Sequence, residues 1–100
     1  MENKTHPIPG LIYQHYKGGL YEAISVATHT TTKEKLVIYK SHTEGTIYAR
    51  PLEEWFQKVE IDIDDPNLLD MRGNIARDAY FARVNGKPLE AIRFIPFSMM

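Results

Sequence analysis

Three groups of side chains in this sequence are equipped for chemistry: its histidines, an acidic run, and a set of tyrosines bordered by cations. His15 and His29 fall on segments that read as adjacent antiparallel strands, so their imidazoles could approach each other near one rim of the fold. Two imidazoles can begin a zinc site, but the chain has no cysteine and a third ligand at recognisable spacing is missing, with His42 the candidate weighed for it. No metal site and no cofactor are expected. As a general base, His15 or His29 could serve a small hydrolase, oriented by Glu22 or Glu34; such a group contributes roughly 10²- to 10⁴-fold when within hydrogen-bond reach.

Alternation along Glu60-Ile61-Asp62-Ile63-Asp64 puts the three carboxylates on one strand face, with neighbours about 7 Å apart. A calcium loop starting at Asp62 would need Gly and Glu where Asn67 and Gly73 stand, so the pattern fails. A charged strand edge that resists edge-to-edge pairing is the simpler account. No serine-hydrolase elbow, phosphate loop or dinucleotide fingerprint occurs.

The tyrosines carry the leading hypothesis. Tyr13, Tyr16, Tyr21, Tyr39 and Tyr48, with Trp55, are many amphipathic rings for one small core. With Lys17, Arg50 and His15 or His29 at its border, an aromatic floor rimmed by cations suits a nucleotide, a nucleic acid or a peptide. The candidate ligand-binding residues are therefore Tyr13, His15, Tyr16, Lys17, Tyr21, His29 and Arg50. The competing reading has the same rings packing the interior, with their hydroxyls tying loops together.

Short strands must position these residues. Leu11 to Tyr16 alternates as a strand, Lys17-Gly18-Gly19 supplies the positive-φ positions of a tight reversal, and Leu20 to Thr28 returns. Leu36 to Tyr39, Thr46 to Arg50 and Lys58 to Ile63 read as further strands. Pro51 opens a short helical turn that projects Leu52, Trp55 and Phe56 as an apolar stripe, suited to plugging one end of a barrel. Asp65-Pro66 opens a short, irregular helical stretch interrupted by Gly73. Residues 79–84 and 89–95 read as strands of a hairpin turning at Asn85-Gly86.

The expected fold is mainly β: a small SH3-like barrel or a strongly bent antiparallel sheet of about five to seven strands, with one or two short helical turns. Residues 1–9 read as a flexible lead-in and 10–100 as one β-rich domain. A hundred residues, 43% of them hydrophobic, suffice for one core. No signal peptide and no membrane span are expected, and a net charge of −1 gives no bulk attraction to nucleic acid or anionic lipid. Residues 53–70 are predominantly acidic and 71–93 predominantly basic, which reads as two solvated, complementary faces.

From Tyr13 onward the chain resembles a family of small bacterial proteins, domain of unknown function 1653. The resemblance rests on Tyr13-Gln-His15-Tyr16-Lys17-Gly18-Gly-Leu-Tyr21, on Ala27-Thr-His29-Thr30-Thr-Thr32, on Val37-Ile-Tyr39, and on Arg50-Pro51 before Trp55-Phe56. It covers roughly residues 10–62, with Arg93-Phe94 similar to a closing motif. Thr30, Thr31, Tyr48 and Ser41-His42 depart from the family pattern, and residues 64–82 look like an insertion. The resemblance implies the β-rich fold and a bacterial, cytoplasmic setting, and brings no reaction with it.

Three functions remain in view: a non-catalytic binding module, an interaction or assembly module acting through residues 64–84 with a possible homo-oligomer, and a small hydrolase. In the second, Leu68, Leu69, Met71, Tyr80 and Phe81 supply the partner surface.

Overall fold

The structure is a computed structural model that describes residues 6–97. The expected lead-in thus falls partly outside the described residues. Its described end is anchored: Pro7 is buried, and the Ile8 N–H donates to the Tyr13 hydroxyl at 2.9 Å.

Among the described residues, seven strands form two antiparallel sheets. The main sheet has the order β4-β3-β2-β1-β7, with β1 at Ile12–His15, β2 at Leu20–Thr28, β3 at Lys35–Ser41, β4 at Ile47–Pro51 and β7 at Phe94–Pro96. The second pairs β5, Lys58–Ile61, with β6, Leu89–Ile92. The helices are α1, Leu52–Trp55, and α2, Ile75–Asn85, with a 3₁₀ turn at Leu68–Asp70.

The glycine reversal forms where the turn chemistry demands it. Gly18 takes φ +110, and the His15 N–H donates to the Gly19 carbonyl at 2.9 Å, which sets Tyr13 opposite Tyr21. Ile24 is the extra residue of a β-bulge, between the pairs Ala23–Tyr39 and Ser25–Ile38. A bulge sharpens local twist and bends its strand. The main sheet curls accordingly, and α1 lies on its inner face with Leu52, Trp55 and Phe56 packed into the core, as the apolar stripe required. A bent sheet is therefore the observed alternative. Among the described residues the strands do not close into a barrel, because β4 and β7 are edges of the main sheet and β5 and β6 pair only with each other.

The main core comprises Tyr13, Ala23, Val37, Tyr39, Trp55 and Phe94. A second core lies between α2 and the β5–β6 pair: Ile61, Ile75, Ala79 and Leu89, flanked by Tyr16, Leu68 and Met71. Leu68 and Met71, offered as partner surface, thus partly complete the fold, whereas Leu69, Tyr80 and Phe81 are exposed.

The expected hairpin at Asn85-Gly86 is corrected. Residues 79–84 lie in α2, and Gly86 is its left-handed cap at φ +65. Its N–H reaches the Arg83 carbonyl at 3.3 Å, and the Lys87 N–H reaches the Ala82 carbonyl at 3.0 Å. That pair of bonds is the Schellman closure of a helix. Asn-Gly followed by Pro ends helices as readily as it turns hairpins, and the partner β6 needed was β5, far away in sequence. Strand β5 also stops at Ile61 rather than Ile63, because Asp62 folds back to accept the Asp64 N–H at 2.9 Å. The acidic and basic segments do meet: Arg83 bridges Asp64 at 2.8 Å and Arg93 lies 3.9 Å from Glu54.

Candidate ligand-binding site

Directly opposed residues of antiparallel strands share a face. The register therefore places Tyr13, His15, Tyr21, Ala23, Val37, Tyr39, Tyr48, Arg50 and Phe94 together on the inner face of the curled sheet. Phe94 is its hub. It stacks on Trp55 at 3.8 Å with an interplanar angle of 3°, and meets His15 at 4.9 Å, Tyr39 at 5.6 Å and Tyr21 at 5.7 Å edge to face. The Arg50 guanidinium sits 5.7 Å from the Phe94 ring centroid. Arg50 also donates from Nε to the Tyr39 hydroxyl at 3.3 Å and from Nη1 to Glu54 at 3.1 Å.

Depth divides this face into floor and mouth. Tyr13, Tyr39, Trp55 and Phe94 are buried and form the floor. His15, Tyr21 and Arg50 are half-buried, Tyr48 is exposed, and these four line the mouth. Gly19 makes room for one of them: a Cβ there would stand 3.0 to 3.3 Å from the Tyr21 ring.

Electrostatics give the mouth its character. His15 Nδ1 accepts the Lys17 N–H at 3.1 Å, which assigns the remaining ring proton to Nε2. Burial first, then the positive charges of Arg50, Arg93, Lys17 and Arg72, lower its pKa to about 4. At neutral pH His15 is an uncharged N–H donor in a positive field. Burial chiefly, with Tyr39, Tyr48 and Glu44 and against Arg50, raises the Tyr21 pKa, so its hydroxyl keeps its proton. Against the four cations around His15, Glu54 engages two, Arg50 and Arg93. The mouth thus combines N–H and O–H donors, positive potential and aromatic faces, a chemistry suited to an anion.

Of the residues singled out in the sequence, His15, Tyr21 and Arg50 come together here, and Lys17 flanks them with Nζ 5.9 Å from the Tyr16 ring. Tyr13 lies beneath, in the floor. Tyr16 packs against the second core, and its ring also lies 4.5 Å from the His15 ring, tilted by 30°. His29 does not approach His15: it follows Thr28 at the far end of β2, and its Nδ1 accepts the Thr31 and Thr32 N–H groups at 3.1 and 3.2 Å. Among the described residues no cluster of three His, Cys, Asp or Glu is placed to hold a metal ion, and neither histidine bonds a carboxylate side chain. A pKa of about 4 also makes His15 a poor base near neutrality. Sequence reasoning names Phe94 within a motif and not as a site residue; it joins the face only through the pairing of β7 with β1, and Arg93 beside it contributes positive charge to His15.

A separate open cleft of about 430 Å³ lies between β6, β7 and the start of α2, lined by Gln14, Arg72, Asn74, Asp78, Glu90 and Pro96 among others. Its chemistry is less suited to an anion. Arg72 is committed to the Gln14 carbonyl at 3.1 Å, and Asp78 and Glu90 bring negative charge.

Fold and site define a small, mainly β protein whose curled sheet holds an aromatic floor under a cationic mouth. The chain belongs to the family described as protein of unknown function (DUF1653), whose model matches residues 11–69. No curated protein and no solved structure matches it significantly. The matched span contains β1 to β5 and the glycine reversal, while α2, β6 and β7, with Arg93 and Phe94, lie beyond it. No helix among the described residues is long and apolar enough to cross a membrane.

Proposed function

We propose that this chain is a non-catalytic binding module for an anionic ligand with a planar part, a nucleotide in the first instance. The observation that carries the reading is the convergence of Arg50 and His15 on Phe94 beside Tyr21 and Tyr48. Charge goes to Arg50 and the His15 Nε2–H, and a base stacks on the tyrosines at the mouth. A nucleic-acid strand or an acidic peptide presents related chemistry. The cysteine-free sequence suits a reducing bacterial cytoplasm.

Trp55 is the single tryptophan and stacks on the floor of the mouth, so its emission reports occupancy. Titration with nucleoside monophosphates, short single-stranded oligonucleotides and acidic peptides gives a saturable change with one class, weakened at least tenfold in Arg50→Ala. A flat response to all three classes contradicts the reading.

A second reading has one specific observation behind it. Leu69 is 88% exposed, Tyr80 63%, Phe81 51% and Val84 64%, so α2 and the 3₁₀ turn before it present apolar side chains to solvent. An interaction module using residues 64–84 would cover them. Tyr80→Glu then abolishes complex or oligomer formation without moving the thermal melt; unchanged assembly contradicts it.

A further inference from the structure

Strand β4 is an edge of the main sheet. The Ser41 N–H donates to the Thr46 carbonyl at 2.8 Å, which marks that pair as hydrogen-bonded across β3 and β4. Antiparallel alternation then makes Tyr39–Tyr48 and Val37–Arg50 bonded pairs as well. Ile47 and Ala49 consequently direct their backbone N–H and C=O groups away from β3. Ile47 is 61% exposed and Tyr48 40%. Pro51, the last residue of β4, withdraws one outward N–H and limits the open edge to the residues before it, which carry no lysine and no bulge. Their one charge, Arg50, is engaged by Glu54 at 3.1 Å.

We propose that this edge pairs with the same edge of a second copy, antiparallel about a two-fold axis at Tyr48. In that register Ile47 exchanges backbone hydrogen bonds with Ala49 of the partner subunit, and the symmetric pair repeats it. A large side chain thus faces a small one on the outer side of the sheet. Tyr48 faces Tyr48 of the partner subunit as a non-bonded pair. The Glu44 turn of each copy is carried toward the Arg50 end of the other, so opposite charges approach on both sides of the axis. These complementarities hold when β4 is laid against its own sequence reversed, as an isologous interface requires. They select a second copy over an unrelated strand.

Three measurements on the full chain test the pairing. Sedimentation velocity from micromolar to millimolar protein shows a dimer. Ile47→Lys and Ala49→Pro each turn it into a monomer while retaining the thermal melt and Trp55 emission, since the Ala49 N–H faces away from β3 and its loss spares the β3–β4 ladder. Tyr48→Cys introduces the only thiol in the chain. A non-bonded antiparallel pair has Cα atoms about 4.5 Å apart, within disulfide range, so this variant oxidises to a covalent dimer, and adding Ile47→Lys suppresses it. A wild-type monomer throughout the range overturns the pairing. So does a dimer that survives both edge variants, one abolished by Tyr80→Glu instead, or a Tyr48→Cys chain that stays uncrosslinked.

Discussion

The Arg50 guanidinium lies 5.7 Å from the Phe94 ring centroid, although their strands are opposite edges of one five-stranded sheet. A flat sheet would hold those edges about 19 Å apart, beyond the reach of an arginine side chain. The contact therefore measures the curl that the Ile24 bulge and the Trp55 wedge impose. It also explains why the mouth draws residues from both edges. Neither Arg50 nor Phe94 makes a site alone; the curvature does.

Removing that cation tests the electrostatic half of the account. Arg50→Met keeps the apolar stem but loses the cation over Phe94 and the bond to the Tyr39 hydroxyl, at a cost of about 1 kcal/mol by urea denaturation. It also removes a positive neighbour of His15, so the His15 pKa rises from about 4. A proton NMR titration of the imidazole reads the change.

The depressed His15 pKa makes stability depend on pH with a definite sign. The folded group titrates near 4 and the unfolded one near its ordinary 6.5. Between these values the unfolded chain binds more protons, so stability rises with pH through that window and falls on acidification. Urea midpoints measured between pH 7 and pH 4 should decline less steeply in His15→Asn than in the wild type.

The two reversal glycines should respond differently to alanine. At Gly18, φ is +110 and a Cβ would stand 2.7 Å from the Asp70 carbonyl oxygen, so Gly18→Ala costs about 2 kcal/mol in denaturant midpoints. At Gly19 the obstruction is the Tyr21 ring, which can give way. Gly19→Ala costs less than about 1 kcal/mol, yet it displaces the ring and weakens nucleotide binding in the Trp55 titration.

Gly86 distinguishes a helix cap from a hairpin turn. Gly86→Ala places a Cβ at φ +65 and costs about 1 kcal/mol. Hydrogen exchange should speed up mainly in residues of α2, whereas a hairpin would show the loss across β6 and its partner.

Much of this molecule is legible from local sequence. Tyr13 to Tyr21 announces a strand, a glycine reversal and a returning strand, and Leu52, Trp55 and Phe56 announce a helical turn with one buried stripe. Local grammar fails at Ala79 to Gly86, because an apolar run before Asn-Gly satisfies both a strand into a hairpin and a helix into its cap. Only the distant pairing of β5 with β6 decides between them. Within the site, His15 and Arg50 stand out by residue type beside tyrosines. His29 misleads because adjacency of strands does not fix height along them. Phe94 is legible as part of a motif but not as a site residue, because the short strand β7 reaches the inner face only by closing against β1, across most of the chain.

The most direct test of the anion-binding mouth is the His15 imidazole itself, followed by NMR during addition of a nucleoside monophosphate. A bound phosphate favours the protonated ring, so the account predicts saturable shifts of the His15 resonances and a pKa raised above about 4. His29 should stay unmoved at the far end of β2. Unshifted His15 resonances and an unchanged pKa at saturating nucleotide, oligonucleotide and acidic peptide would contradict it.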